Sequence, residues 1–240
     1  MKINPCVVKT VWADQASLAQ AVAHMVVIES KKAIAEKGFF TLALSGGNTP
    51  ALLYELLATA PYKNNVDWTK TIIAFGDERF VPPTSKESNY KMAKEILFEK
   101  VPLPGKNIFS IKTIQVTPAQ SAKEYGIALK KYISRAQPFD LVLLGIGDEG
   151  HTASIFPGSA LITSKRNVES VWVTEKNMER ISFTLPFINQ AKNVAFRVSG
   201  TGKAAIIKKI FSKKNTGLPA ALVSARSITY WFLDHAANGS

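Results

Sequence analysis

A histidine and two carboxylates share a glycine-rich turn, Gly145-Ile146-Gly147-Asp148-Glu149-Gly150-His151, directly behind the apolar run Phe139 to Leu144. A neutral imidazole takes up a proton near pH 7 and a neighbouring carboxylate can orient it, so His151 with Asp148 or Glu149 has the groups for general base catalysis. A lone histidine also has structural uses, and the local residues leave open which carboxylate would serve the ring. The spacing Gly145-x-Gly147-x-x-Gly150 matches a dinucleotide fingerprint, with Glu169 near the ribose-binding position. Pro157 falls inside the helix that such a site needs, and Leu161 to Glu169 does not read as a buried strand, so a dinucleotide is disfavoured.

Three further loops carry anion chemistry. Ser45-Gly46-Gly47-Asn48-Thr49-Pro50 joins an apolar run to a helix start, where free amides and the helix dipole favour a phosphate; Thr49 is the expected N-cap, with Pro50 in the first turn. The same glycines also suit a plain tight turn. Ala43 to Gly47 is a relaxed nucleophile elbow, and Ser45, Asp148 and His151 fall in hydrolase order, but the expected helix begins four to five residues too late for Ser45 to be the nucleophile. Phe75-Gly76-Asp77-Glu78-Arg79 could bind an anion through Arg79 while Asp77 or Glu78 does polar or proton work, or it could be a local ion-pair cluster. Ser85-Lys86-Glu87-Ser88-Asn89-Tyr90 reads as a helix cap. Ser199 to Lys203 resembles the end of a P-loop, yet Arg197 and Ala204 occupy positions that pattern reserves for Gly and Ser or Thr, leaving an amide-rich loop with Lys203.

The elements that must hold these loops follow from periodicity. Asp14 to Lys37 is an amphipathic helix with Leu18, Val22, Met25, Ile28 and Ala35 near helical spacing and Gly38 to end it. Strands are expected at 39–44, 71–75, 140–144, 171–174, 181–185, 193–198 and 228–233, and helices from Pro50, over 88–97, 118–134 and 203–211. This alternation implies an α/β fold, Rossmann-like and doubly wound, with a mostly parallel sheet and helices on both faces. With 240 residues, no repeat and no long linker, a single domain over 1–240 is expected. The loops named above then lie on one rim, at the carboxyl ends of the strands, where such sheets bind ligands.

Thirty Lys and Arg against 18 Asp and Glu give a formal charge of +12, which favours anionic partners without choosing among them. The basic residues fall in small clusters (Lys31-Lys32, Lys130-Lys131, Lys208-Lys209, Lys213-Lys214) on amphipathic segments, and the aromatics do not interleave with them, so no nucleic-acid module is indicated. No apolar run is long enough to span a bilayer, and Met1 to Trp12 lacks a signal-peptide core. Cys6 is the only cysteine, so nothing points to an oxidising compartment, and a cytoplasmic protein is expected. His24, His151 and His235 have no partners at metal-ligand spacing, so no metal is expected.

Taken in order, Leu44-Ser45-Gly46-Gly47-Asn48-Thr49-Pro50, Gly76 to Pro82 with Ser88-Asn89, Gly145 to Pro157, Arg180-Ile181-Ser182-Phe183-Thr184-Leu185-Pro186 and Gly202-Lys203 resemble the 6-phosphogluconolactonase family, itself similar in fold to glucosamine-6-phosphate deaminase. The resemblance implies cofactor-free hydrolysis of 6-phospho-D-glucono-1,5-lactone in the oxidative pentose phosphate pathway. It implies His151 as the base activating water, with the oxyanion held by backbone N–H groups. Arg79, Arg180, Lys203 and the Gly46-Gly47 amides would hold the phosphate, and Ser45, Asn48, Thr49 and Asp77 would also line the substrate. The family's usual Asp-Gly-His is Glu149-Gly150-His151 here, with Asp148 one residue earlier. The deaminase branch carries a glutamate in the run after its histidine; Thr152-Ala153-Ser154-Ile155-Phe156-Pro157 has none, which favours the lactonase. A deaminase or isomerase, a non-catalytic phosphosugar binder and a nucleic-acid binder are the alternatives. The partner expected is the sugar lactone, with no membrane, and as a monomer or a homodimer.

Overall fold

The computed structural model describes residues 6–212 and 216–239; the side chains of Asn48 and Thr49 and the Lys213-Lys214 pair lie outside the described residues. In chain order the elements are β1 (Cys6–Trp12), α1 (Gln15–Lys37), β2 (Phe40–Leu44), α2 (Asn48–Leu57), α3 (Tyr62–Asn65), β3 (Thr71–Phe75), β4 (Asp77–Arg79) and α4 (Asn89–Ile96). They continue with α5 (Pro118–Leu129), β5 (Leu141–Leu144), β6 (Val168–Val173), β7 (Met178–Phe183), α6 (Leu185–Ile188), β8 (Asn193–Val198), α7 (Ala204–Ile210), β9 (Ile228–Asp234) and α8 (His235–Asn238). Six strands form a parallel sheet in the order β1-β9-β8-β5-β2-β3, and β4, β7 and β6 form a small antiparallel sheet.

Every residue of β2, β3, β5 and β8 is buried, as expected for parallel strands covered on both faces. From β2 the chain winds outward to β3, and from β5 it winds the other way through β8 to β9, with β1 added beyond β9. The order therefore reverses between β2 and β5, and the loops leaving their carboxyl ends part to open a crevice. Those loops are Ser45 to Gly47 and Gly145 to His151.

Helix α1 starts in a capping box, in which Asp14 accepts from the Ser17 amide and the Ser17 hydroxyl accepts from the Asp14 amide, and it ends at Gly38 with φ +85°. Leu18, Val22 and Met25 are buried as their spacing predicts, but Ile28 is 50% exposed and Ala35 is exposed. The buried stripe runs through Val26 and Ala33 instead.

Several boundaries differ from the sequence reading. Helix α2 begins at Asn48, with Gly47 rather than Thr49 as N-cap; Gly47 has φ +97°, a conformation that releases the chain into the helix before the Thr-Pro signal. Helix α5 stops at Leu129, after which turns carry Ile133 into the core. Strand β1 was not anticipated because its side chains alternate only between exposed and half-buried at the sheet edge. Strand β4 was read as a loop because Asp-Glu-Arg has no apolar signature; its pairing with β7 makes it a strand. Among the described residues no helix is long and apolar enough to cross a membrane.

The β2–β5 seam is reinforced at its amino end by a buried clamp. One carboxylate oxygen of Asp140 accepts from the Thr41 amide at 2.8 Å and the Thr41 hydroxyl at 2.7 Å, and Lys37 reaches the same oxygen at 2.9 Å. The Asp140 amide donates back to the Thr41 hydroxyl at 2.9 Å. Removing one partner of a buried charged cluster leaves the others unmatched. Asp140→Ala is therefore expected to lower the unfolding free energy by about 3 kcal/mol, read as a shift of the urea midpoint at unchanged slope. Asp140→Asn, which keeps an acceptor oxygen, is expected to lose less. A loss below about 1 kcal/mol for the alanine variant would show that the clamp is not what holds the seam.

Candidate active site

The crevice at the reversal point is a cleft of about 210 Å³. Ser45, Gly46 and Gly47 line it from the loop after β2, Asp77 and Arg79 from β4, and Asn89 from α4. Gly145, Gly147, His151 and Ala153 line it from the loop after β5, Arg180 from β7, Arg197 from β8, and Lys203 from the turn before α7. The loops that the sequence assigned to one rim thus converge on one space.

Behind β5 there is no helix. The chain makes turns through 148–159, so the glycine pattern does not have the strand-to-helix geometry that a dinucleotide needs. Its glycines serve the histidine. A Cβ on Gly147 would lie 2.0 Å from Cε1 of His151, so only glycine leaves room for the ring. The Gly147 amide donates to the His151 carbonyl at 3.0 Å, and Gly150, at φ +82°, turns the chain between them. Phe156 stacks on the other side of the imidazole, with ring centroids 4.1 Å apart. The ring is held between a backbone and an aromatic face.

Nδ1 of His151 lies 2.9 Å from Oε2 of Glu149. Asp148, the other candidate, does not reach the ring; its carboxylate pairs with Lys203 Nζ at 2.6 Å and is 78% exposed. Burial holds the His151 pKa below its ordinary 6.5, against the opposing pull of Glu149 and, more weakly, of Asp77. Glu149 lies below its ordinary range chiefly through a hydrogen bond from its own backbone amide, and Asp148 through its bond to Lys203. Burial thus favours the uncharged ring at neutral pH. With Nδ1–H donating to Glu149, its lone pair sits on Nε2, which makes no hydrogen bond among the described residues.

Strand alternation sorts the residues of β4. Asp77 and Arg79 face the cleft, while Glu78 points the other way and caps α4, accepting from the amides of Asn89 and Tyr90 at 2.8 Å each and from the Ser88 hydroxyl at 3.1 Å. Burial raises the Glu78 pKa against those bonds. Asp77 accepts from the Ser154 hydroxyl at 2.7 Å, and Arg180 Nη1 lies 3.8 Å from it. Arg79 stands directly opposite Arg180 in the β4–β7 ladder. Like charges in that relation repel, and Nε of each arginine is buried without a partner. Such a pair suits an anion.

The cleft also contains two residues that the sequence reading did not place there. Arg197 sits in the apolar strand Asn193-Val194-Ala195-Phe196-Arg197-Val198, where it is only 4% exposed; burial lowers its pKa to about 10, so it remains cationic. The signal available was a lone arginine near the carboxyl end of a buried strand. Asn89 was read as part of a cap, which Ser88 provides. Its side chain instead packs on Gly46, where a Cβ would meet Oδ1 of Asn89 at 1.8 Å, and it donates to the Asp77 carbonyl at 2.8 Å. Tyr54 supports the same loop from below through a bond to the Ser45 carbonyl at 2.7 Å. Because α2 begins three residues after Ser45, the loop lacks the abrupt turn of a nucleophile elbow.

Residues 13–231 match the family model described as glucosamine-6-phosphate isomerases/6-phosphogluconolactonase. The chain is 35% identical to a 6-phosphogluconolactonase of Nostoc sp., over 93% of this chain and 94% of that protein. It is 37% identical to one of Synechocystis sp., over 86% of each. Among solved structures, 6-phosphogluconolactonase from Thermotoga maritima superposes with a TM-score of 0.83 at 27% identity, covering 95% of this chain and 99% of that one. The Trypanosoma brucei 6-phosphogluconolactonase gives 0.83 at 27% identity, covering 98% and 99%. A monomeric glucosamine-6-phosphate deaminase shares the fold, with a TM-score of 0.83 at 18% identity and coverage of 98% and 99%.

The environment of the ring fixes the sign of a titration experiment. Desolvation lowers the His151 pKa and the Glu149 carboxylate raises it, so removing that charge must lower it further. By NMR, the His151 ring is expected to titrate below 6.5 in the unaltered protein and lower again in Glu149→Gln. A rise in Glu149→Gln would contradict the pairing.

Proposed function

The chain belongs to the family of glucosamine-6-phosphate isomerases and 6-phosphogluconolactonases, and from that premise we propose that it hydrolyses 6-phospho-D-glucono-1,5-lactone to 6-phosphogluconate with His151 as general base. The observation that supports this reading is the setting of the ring: packed against Gly147 and Phe156, with Nδ1 at Glu149 and Nε2 left for chemistry. Nε2 takes a proton from water as the water oxygen bonds to C1 and the carbonyl electron pair moves onto its oxygen. When that pair returns, the bond from C1 to the ring oxygen breaks, and the imidazolium gives the departing oxygen its proton. Glu149 keeps the ring oriented and stabilises the transient imidazolium. Asp148 has a different task, holding Lys203 at the rim.

The 6-phosphate falls to the amides of Gly46 and Gly47 at the start of α2, with Lys203 supplying charge. Anchoring that end places C1 at the base. Because the lactone already opens in water, the enzyme needs only moderate acceleration, much of which positioning can supply. A deaminase reading would need a carboxylate in the run after the histidine to assist ring opening, and residues 152–157 supply none.

His151→Asn is expected to lower kcat by about a thousandfold while 6-phosphogluconate still binds within a few-fold, because the base contributes to the barrier and little to ground-state affinity. The measurement is proton release from freshly generated lactone in a pH-stat, corrected for spontaneous hydrolysis. Unchanged turnover in this variant would remove His151 from the mechanism, and ammonia release from glucosamine 6-phosphate by the unaltered protein would favour the deaminase.

A further inference from the structure

The family resemblance groups Arg180 with the phosphate ligands, but its neighbours belong to the reacting end of the cleft. Its Nη1 lies 3.5 Å from the Ser154 hydroxyl and 3.8 Å from Asp77, and Ser154 is three residues beyond His151. Arg180 is also close enough to His151 to oppose its protonation. The glycine loop, by contrast, is backed by the Tyr54 hydroxyl, with Arg197 close to Tyr54, and Lys203 approaches from the turn after β8. Arg79 and Arg180 thus stand together on the β4–β7 wall, whereas Arg197 lies by Tyr54 behind the glycine loop and Lys203 is held at the rim by Asp148.

Building on the lactonase reading, we infer that Arg180 is a catalytic residue whose guanidinium receives the negative charge that forms on the C1 carbonyl oxygen and then the product carboxylate, in a subsite separate from the phosphate. The chemistry demands such a group. Water attack converts a neutral carbonyl into an oxyanion, and ring opening followed by loss of one proton to solvent leaves a carboxylate at the same carbon. One guanidinium can serve both, since its donors form a planar fork matched to two oxygens. The buried Nε of Arg180 has no partner, and Arg79 directly across the ladder adds positive potential at the same wall. Asp77 steadies the guanidinium without saturating it, because the Ser154 hydroxyl already takes the Asp77 oxygen that faces Arg180.

This division predicts that the cleft distinguishes ligands by what stands at C1. 6-Phosphogluconate and glucitol 6-phosphate share the phosphate and the carbon chain, but the second has an alcohol where the first has a carboxylate. The unaltered protein is expected to bind 6-phosphogluconate about tenfold more tightly by calorimetry, as for a charge-assisted bidentate contact. Arg180→Gln is expected to abolish that preference, leaving glucitol 6-phosphate affinity within about twofold, and to lower kcat by about a hundredfold or more, the scale of a lost oxyanion donor. Lys203→Gln should weaken both ligands in parallel. Arg180→Lys, which keeps a cation, should recover part of the carboxylate preference and guards against a glutamine variant that fails to fold. Equal weakening of the two ligands by the Arg180 variants would place Arg180 at the phosphate and overturn the inference, as would a kcat within a few-fold of the unaltered protein. If the unaltered protein does not accelerate lactone hydrolysis at all, the functional reading fails, and the two-ligand comparison still decides which anionic group Arg180 holds.

Discussion

The seam between β2 and β5 is the constraint on which the rest of the structure depends. It is a short parallel ladder, pairing Leu42 with Leu141 and Ala43 with Val142, and it is where the winding of the sheet reverses. Parallel strands this buried have no water to satisfy their amides, so an interrupted ladder must be compensated by side chains. Thr41 and Asp140 provide that at one end. At the other end, among the described residues, the β2–β5 ladder stops at Ala43 and Val142, and the loops after the two strands line the crevice. The clamp and the cleft are two ends of the same seam, fixed at one and open at the other.

Much of this frame is legible in the sequence, for reasons that can be assigned to particular residues. The runs Thr71 to Phe75 and Asn193 to Val198 are apolar, short and bounded by turn residues, and the structure assigns both as strands over those spans. The loops at 45–47, 145–151 and 199–203 follow such strands, so their shared rim follows from parallel topology alone. What stays hidden are features set by partners distant in the chain. Strand β4 exists through its register with β7, and the opposition of Arg79 and Arg180 depends on that register. Arg197 is concealed differently, because in a run otherwise suited to a core strand its charge reads as an exception, and only the position of β8 beside the crevice gives it a place.

Glycine spacing was the most ambiguous signal in the chain. The pattern at 145–150 has the form of a pyrophosphate loop, but the same residue types arise when a backbone must pass against an imidazole. In the first case glycine admits a ligand, and in the second it admits a side chain of the protein itself. Gly147 is the second case, and Gly46 repeats it, with Asn89 filling the space that a Cβ would take. Both contacts place a polar side chain against a loop at the edge of the cleft. The absence of a helix after β5 separates the two meanings, and Pro157 was the only local residue that pointed to it.

The charge of the chain has a similar division between bulk and site. Most of the excess lysine lies on solvated surfaces, where screening leaves little individual effect. The arginines of the cleft act in a different medium. Arg197 and Arg180 are 4% and 8% exposed, and burial lowers the pKa of each, that of Arg197 to about 10. A field from such groups reaches a bound anion with little screening, but it also opposes protonation of any base nearby. In the proposed reaction His151 would hold a proton transiently in that field, and Glu149 sits at Nδ1, on the side of the ring away from Nε2. A carboxylate at Nδ1 eases formation of the imidazolium while leaving Nε2 open, whereas one at Nε2 would compete with water for the proton. The pairing of Asp148 with Lys203 completes the arrangement, since it keeps the second acid of the loop away from the ring and leaves Glu149 as the carboxylate at the imidazole.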